Sequence, residues 1–290
     1  MTAPATLSST SGYGAGRNWK AHLTLEMQHQ PETGRTVLGH MGFSGPLRVQ
    51  RPFYPEGDLC HLYLLHPPGG MVSGDELTMD VRVRPDAHAL MTTPSAGKIY
   101  QADSCNVRQH QKVRLDVEGA LEWLPQETIV FNGANGCLET EVHLGEGSRF
   151  IAWDIFCLGR LAGNHPFQQG SLEQRLQVYK KGVPCLLERQ RLIRTGEADR
   201  LFHAPWGFGG ATVSGTLIAT VGDAAQAELR DAVRALLPSG FACTSKEGLL
   251  IIRYLGMSIQ GAKSGFLSAW QRIRPQVLGR PVTIPRIWHT

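Results

Sequence analysis

Apolar and polar positions alternate with period two along much of the chain. Leu77, Met79, Val81 and Val83 are separated by polar residues, and Val113, Leu115 and Val117 repeat the pattern. Leu121 and Trp123 follow, then Thr140, Val142 and Leu144. A period of two sends successive side chains to opposite faces, so each run predicts a half-buried strand. Phe150 to Leu158 is apolar on both parities, the pattern of a strand covered on both sides. Turn signals separate the runs at Pro67-Pro68-Gly69-Gly70, Asn132-Gly133, Asn135-Gly136 and Gly145-Glu146-Gly147. Many short strands at regular spacing predict a body dominated by β structure.

Two stretches depart from the alternation. Ala225, Leu229, Ala232, Val233 and Leu236 recur at helical spacing, with Asp223 as N-cap and Pro238 just beyond. Phe266, Ala269, Trp270 and Ile273 do the same and predict a helix ending near Pro275. Two α-helices are therefore expected in the C-terminal third. Residues 1–16 are small, polar and glycine-rich, and predict a flexible tail. No later segment is rich enough in Pro, Gly or Ser to act as a linker, so residues 17–290 are expected to form one domain.

Composition narrows the function. Hydrophobic residues make up 42% of the 290, enough for a sizeable core. The 29 basic and 25 acidic residues leave a formal charge of +4 with no dense Lys/Arg run, so no nucleic-acid partner is expected. The N-terminus lacks a basic start followed by an apolar run, and no stretch of about 18 apolar residues occurs. The six cysteines (Cys60, Cys105, Cys137, Cys157, Cys185 and Cys243) show no CxxC spacing. A cytoplasmic protein with reduced cysteines and no membrane span is expected.

Catalytic motifs are missing. There is no GxSxG elbow, and Gly207-Phe208-Gly209-Gly210 lacks the Lys-Ser/Thr of a phosphate loop, so it reads as a tight bend. None of the eleven histidines falls in HxH or HExxH. Cys60-His61 and His66 point to opposite faces of a strand, so a closed metal site is not expected there. Glu122, Glu127, Glu139 and Glu141 lie on neighbouring strands, as a carboxylate-based β-fold hydrolase would need. They read more simply as surface charges on alternating strands. Asp154, on the face of Phe150, Ala152 and Phe156, would cost several kcal/mol if buried unpaired, roughly. It therefore pairs with an arginine, for which Arg160, Arg189 and Arg191 are candidates, or faces water inside the protein.

Long motifs carry a more specific signal. Gly45 to Gln101 reads GPLRVQRPFYPEGDLCHLYLLHPPGGMVSGDELTMDVRVRPDAHALMTTPSAGKIYQ. It is followed in order by LEWLPQETIVF, WDIFCLGR, LLERQRL and PRIWHT. From about Asn18 onward the chain resembles the urease accessory protein UreD (UreH) family, with Ser73 where that family leads one to expect glycine. The resemblance implies a helically coiled, solenoid-like strand body with two helices alongside. It implies no enzyme but a nickel-delivery scaffold, which binds the urease apoprotein and UreF and receives Ni²⁺ from UreG through UreF. Nickel would pass through an internal tunnel, with no cofactor held tightly. Asp75, Asp154 and Glu188 fall in matching motifs and are the expected tunnel carboxylates. Such ligands attract Ni²⁺ yet hold it less tightly than imidazole or thiolate. Thr92, Thr93 and Ser95 are candidates for neutral lining, or for turn hydrogen bonds beside Pro94. Arg286 and Trp288 are candidate partner contacts, since both residue types are enriched in hot spots, or else pack back on the body. A β-rich adaptor with no metal role is the further alternative.

Overall fold

A computed structural model describes residues 19–103, 106–195, 200–222 and 226–289. The strands of the first half are β1 (Lys20–Gln30), β2 (Arg35–Ser44), β3 (Arg48–Val49), β4 (Cys60–Leu65), β5 (Glu76–Val83), β6 (His88–Thr92), β7 (Gly97–Ile99), β8 (Gln109–Val117), β9 (Ala120–Trp123) and β10 (Thr128–Val130). Then come β11 (Asn135–Leu144), β12 (Arg149–Arg160), β13 (His165–Pro166), β14 (Gln169–Lys180), β15 (Val183–Thr195), β16 (Val213–Thr220), β17 (Phe241–Lys246) and β18 (Leu249–Gly256). The helices are α1 (Arg200–His203), α2 (Gln226–Leu236) and α3 (Ile259–Leu278). Strands dominate, as the alternation predicts. No helix among the described residues is long and apolar enough to cross a membrane.

The first sheet has the order β15-β14-β11-β8-β5-β1-β2. Its interior neighbours run parallel, and antiparallel hairpins finish both edges. The second has the order β17-β18-β16-β12-β9-β6-β4-β3, parallel from β12 to β4. A short third ladder forms where β10 runs parallel to β7 and to the Phe156–Leu158 end of β12. The chain visits these ladders in turn, as β5-β6-β7, then β8-β9-β10, then β11-β12. Gly119 makes one of the crossings possible: a Cβ there would lie 2.3 Å from the Ala87 carbonyl oxygen. The edges remain open among the described residues, so the sheets do not close into a barrel.

The inner faces of the two sheets build one core. Leu23, Val81, Leu115 and Val142 from the first meet Met91, Leu121, Phe150 and Phe156 from the second. Each fully buried side chain of this size contributes roughly 1.5–3 kcal/mol. The outer face of the second sheet carries another apolar cluster. There Ile151, Ile155, Leu217 and Ile252 lie under Leu229 and Val233 of α2 and Phe266, Trp270 and Ile273 of α3. This double cover is why Phe150 to Leu158 is apolar on both parities.

Helix α3 begins at the Ser258 cap, whose side chain accepts from Gly261 N, and ends at Gly279 in the left-handed conformation. It runs past the expected stop at Pro275, because Gly279 N donates to the Pro275 carbonyl and closes a last turn. The expected tail (residues 1–16) and the Asp223 cap with Ala225 lie outside the described residues.

Candidate functional site between the sheets

Asp154 of β12 projects from the inner face, beside Phe150, Ala152 and Phe156 of the core. Its Oδ2 accepts a 2.8 Å hydrogen bond from Gln174 Nε2 on β14, in the opposite sheet. Trp123, Thr140, Val142, Leu176, Thr216 and Ile218 complete a small void of about 10 Å³ around it, roughly the room one water needs. Burial pushes the Asp154 carboxyl above the usual carboxylate range, partly opposed by the Gln174 bond. Among the described residues none of the three candidate arginines pairs with it: Arg189 binds Glu173 at 2.8 Å, and Arg160 and Arg191 are exposed. A neutral amide supplies the partner instead.

Glu188 of β15 lies one strand nearer the edge. It is the register partner of Leu176, while Thr216 links Asp154 to Arg253 across the second sheet. Arg253 spans the sheets and donates from Nε to Glu188 Oε1 at 2.8 Å, and from Nη2 to the same oxygen. Asp154 and Glu188 thus flank the seam between the sheets, with Leu176 and Thr216 between them. One is unneutralised inside, and the other is paired with an arginine that reaches solvent.

Asp75 sits elsewhere, just before β5. Its carboxylate accepts from Trp19 N at 3.1 Å and Val72 N at 2.9 Å, closing the turn that starts the strand and tying down the beginning of β1. It is buried, and it is not among the residues around the Asp154 void. Nearby, Thr93 and Ser95 line a cavity of about 370 Å³ together with His66, Met71, Met79 and Lys98. Burial lowers the pKa of His66, and its Nε2 has no hydrogen-bond partner. Thr93 also accepts from Gln126 N (2.9 Å) and donates to the Ser95 carbonyl (3.1 Å), the turn bonding expected beside Pro94.

Thr92 departs from its expected lining role. It occupies the outer parity of β6, where Oγ1 donates to the Leu124 carbonyl (2.5 Å) and accepts from Trp288 Nε1 (2.9 Å). Trp288 packs on Trp153 and Trp270, with ring centroids 5.3 and 5.9 Å away. The segment around Trp288 therefore packs back on the body and leaves Trp288 half-buried. Arg286 is exposed.

The carboxylates weighed for hydrolysis are each paired with a cation. Glu127 binds Lys263 at 3.2 Å and Glu141 binds Arg114 at 3.2 Å. Glu139 binds Arg175 at 2.7 Å. Glu122 is fully buried under α3, where Trp270 Nε1 (2.8 Å) and Arg274 Nε (3.0 Å) donate to it. Burial alone would raise the Glu122 carboxyl, but His88 and the Arg274 charge hold it below the usual range. Arg274 also donates to Glu56 (2.9 Å), and Glu56 binds His61 (2.9 Å). Sequence reasoning missed this network. Its signal was Glu122 between Leu121 and Trp123, opposite an arginine inside an apolar helix stripe. Cys60 and His61 face opposite sides, as strand geometry requires: Cys60 joins the inner core and His61 the outer network.

A second group that the sequence did not bring together lies on the outer face of the first sheet. There His110, Cys137 and Glu139 place a ring nitrogen, a thiol sulfur and a carboxylate oxygen within 4.8 Å of one another. Burial, with the Glu139 charge, pushes the Cys137 thiol up to about 11.

Two stacked sheets covered on one side by a pair of helices, with carboxylates at the seam between the sheets, form the frame in which these residues are set. Comparison with known proteins supplies the family. Residues 20–289 match the family described as UreD urease accessory protein, and the chain belongs to it. A urease accessory protein UreD of Marinobacter nauticus is 46% identical over 283 residues, covering 94% of each chain. That of Saccharophagus degradans is 43% identical, again over 94% of each chain. That of Hahella chejuensis is 41% identical, over 97% of this chain and 94% of its own.

Proposed function

We propose that this chain serves urease maturation as a non-catalytic scaffold. In this reading it binds the urease apoprotein and UreF, and passes Ni²⁺ supplied by UreG through UreF along a route between the two sheets. Family membership supports the maturation role. One observation carries the route: Asp154 presents a carboxylate to the space between the sheets with an amide as partner, not a cation. A carboxylate so placed attracts a divalent ion without the competition of a fixed arginine. Passage needs binding strong enough for entry and weak enough for exit, the logic of ion conduction. Glu188 would then act at the solvent end, exchanging Arg253 for the ion. Thr93 and Ser95 would belong to the cavity at the other end, and Asp75 and Thr92 would act through structure. The three-ladder winding supports the helically coiled description. A single domain over residues 17–290 and a cytoplasmic location complete the proposal. Ni²⁺ is cargo in it, and no cofactor is resident.

The test is urease activity at limiting nickel, in cells expressing urease and the other accessory proteins. Omitting this chain is expected to abolish activation. Asp154→Ala with Glu188→Ala is expected to lower activation several-fold while partners still co-purify. Unchanged activation in that double variant refutes the carboxylate route. Equal activity with and without the chain refutes the maturation role itself.

A further inference from the structure

We infer that His110, Cys137 and Glu139 form a site for a borderline first-row divalent cation, on the outer face of the first sheet and separate from the seam between the sheets. His110 on β8 and Cys137 on β11 are direct register partners, and Glu139 follows Cys137 by one full strand period. All three side chains therefore leave the sheet on the same side. His110 Nε2 lies 3.4 Å from Glu139 Oε2, yet it is buried and makes no hydrogen bond. Cys137 Sγ is 3.6 Å from Glu139 Oε1.

A buried ring nitrogen without a partner is unfavourable, and the atoms facing it are the remaining donors of a metal site. Arg175 binds Glu139 Oε1 at 2.7 Å, which fixes the carboxylate and leaves Oε2 turned toward His110. Outer partners of this kind orient ligands. Metal–ligand distances of about 2.0–2.3 Å in a tetrahedral site put ligand atoms roughly 3.3–3.8 Å apart. The present spread, at most 4.8 Å, closes to that by small side-chain rotations. A nitrogen, a sulfur and an oxygen together favour Zn²⁺, Ni²⁺ or Co²⁺ over Mg²⁺ or Ca²⁺. Three protein ligands leave a position open, so the ion stays exchangeable. Binding releases the Cys137 proton to solvent and leaves the thiolate on the metal.

The reduced full-length chain, with any co-purifying partner, is titrated with Co²⁺ and followed in the near ultraviolet. A thiolate-to-cobalt charge-transfer band is expected at one ion per chain, displaced by Zn²⁺ or Ni²⁺ and indifferent to Mg²⁺. Cys137→Ser removes the band. His110→Ala and the shape-conserving Glu139→Gln weaken affinity by about tenfold or more. Asp154→Ala leaves the band intact, which separates this site from the proposed nickel route. Circular dichroism of each variant checks the fold. No band in the native chain, or a band that survives Cys137→Ser, overturns the inference.

Discussion

Replacing Arg274 with methionine removes the cation that ties helix α3 to the second sheet while keeping most of the side-chain volume. The guanidinium is fully buried and donates to Glu122, Glu56 and the Pro281 carbonyl. Without it, two buried carboxylates face each other, and among the described residues His88, Trp270 and His61 remain as their polar partners. Breaking a buried ion pair from one side costs about 3–5 kcal/mol, because the remaining charge is left uncompensated. For a chain of this size, at about 2.1 cal/mol/K of unfolding entropy per residue, that corresponds to a fall in melting temperature of roughly 5–8 °C. Adding Glu122→Gln removes the stranded charge and keeps an acceptor for Trp270. The double variant is therefore expected to be more stable than Arg274→Met alone, with a coupling of about 0.5–3 kcal/mol. Urea unfolding followed by tryptophan fluorescence measures both quantities. A loss below about 1 kcal/mol for Arg274→Met, or simple additivity in the double variant, would show that the network does not hold the helix as described.

Two further outcomes follow from the same structure. Asp75→Ala strands the Trp19 and Val72 N–H groups and should cost about 1.5–3 kcal/mol, the range for hydrogen bonds to a charged group. A thermal shift assay checks this, and an unchanged melting temperature together with lost urease activation would move Asp75 from the turn to the nickel route. The pH dependence has a definite sign. Burial lowers the pKa of His66 and His88, so the unfolded chain takes up protons near pH 6.5 that the folded chain refuses. Stability should be fully present above about pH 7 and decline below about pH 6.5. The lowered carboxyls of Glu56 and Glu122 extend the decline as pH falls through their folded values. Asp154 works the other way, since its raised pKa makes protonation relieve its burial. A melting temperature that stays flat from pH 8 to pH 5 contradicts this.

Local periodicity was legible because it needs only neighbouring residues. Leu77 to Val83 and Val113 to Val117 are strands with the predicted inner parity, and Phe150 to Leu158 is covered on both sides. The helix starting at Ser258 was legible from its apolar stripe but ran past Pro275, since the glycine that ends it lies one turn further on. Partners across sheets were not legible. Asp154 called for a compensating group, and counting charges suggested arginines, whereas the fold supplies Gln174, whose amide carries no charge to count. Cys137-Leu138-Glu139 already placed two donors on one face. His110 joined them only through a parallel register between strands joined by a long crossover. Thr92 was on a matching motif, but one position of parity decides between the inner space and the helix side, and motif position alone does not fix parity.

The Glu122–Arg274 pair also sets a schedule for synthesis. The two residues are 152 positions apart, which at roughly 5–20 residues per second is about 8–30 s of translation. As that interval runs, the outer side of the second sheet gains Ile151 and Ile155 and then Leu217 with no α3 yet made to cover them. The nascent chain therefore carries a buried-type glutamate without its cation for about 8–30 s, and the outer face from Leu217 onward waits about 3–11 s for α3. Expression at lower temperature, or with a holdase that binds extended apolar segments, should raise soluble yield more than any change to the finished surface.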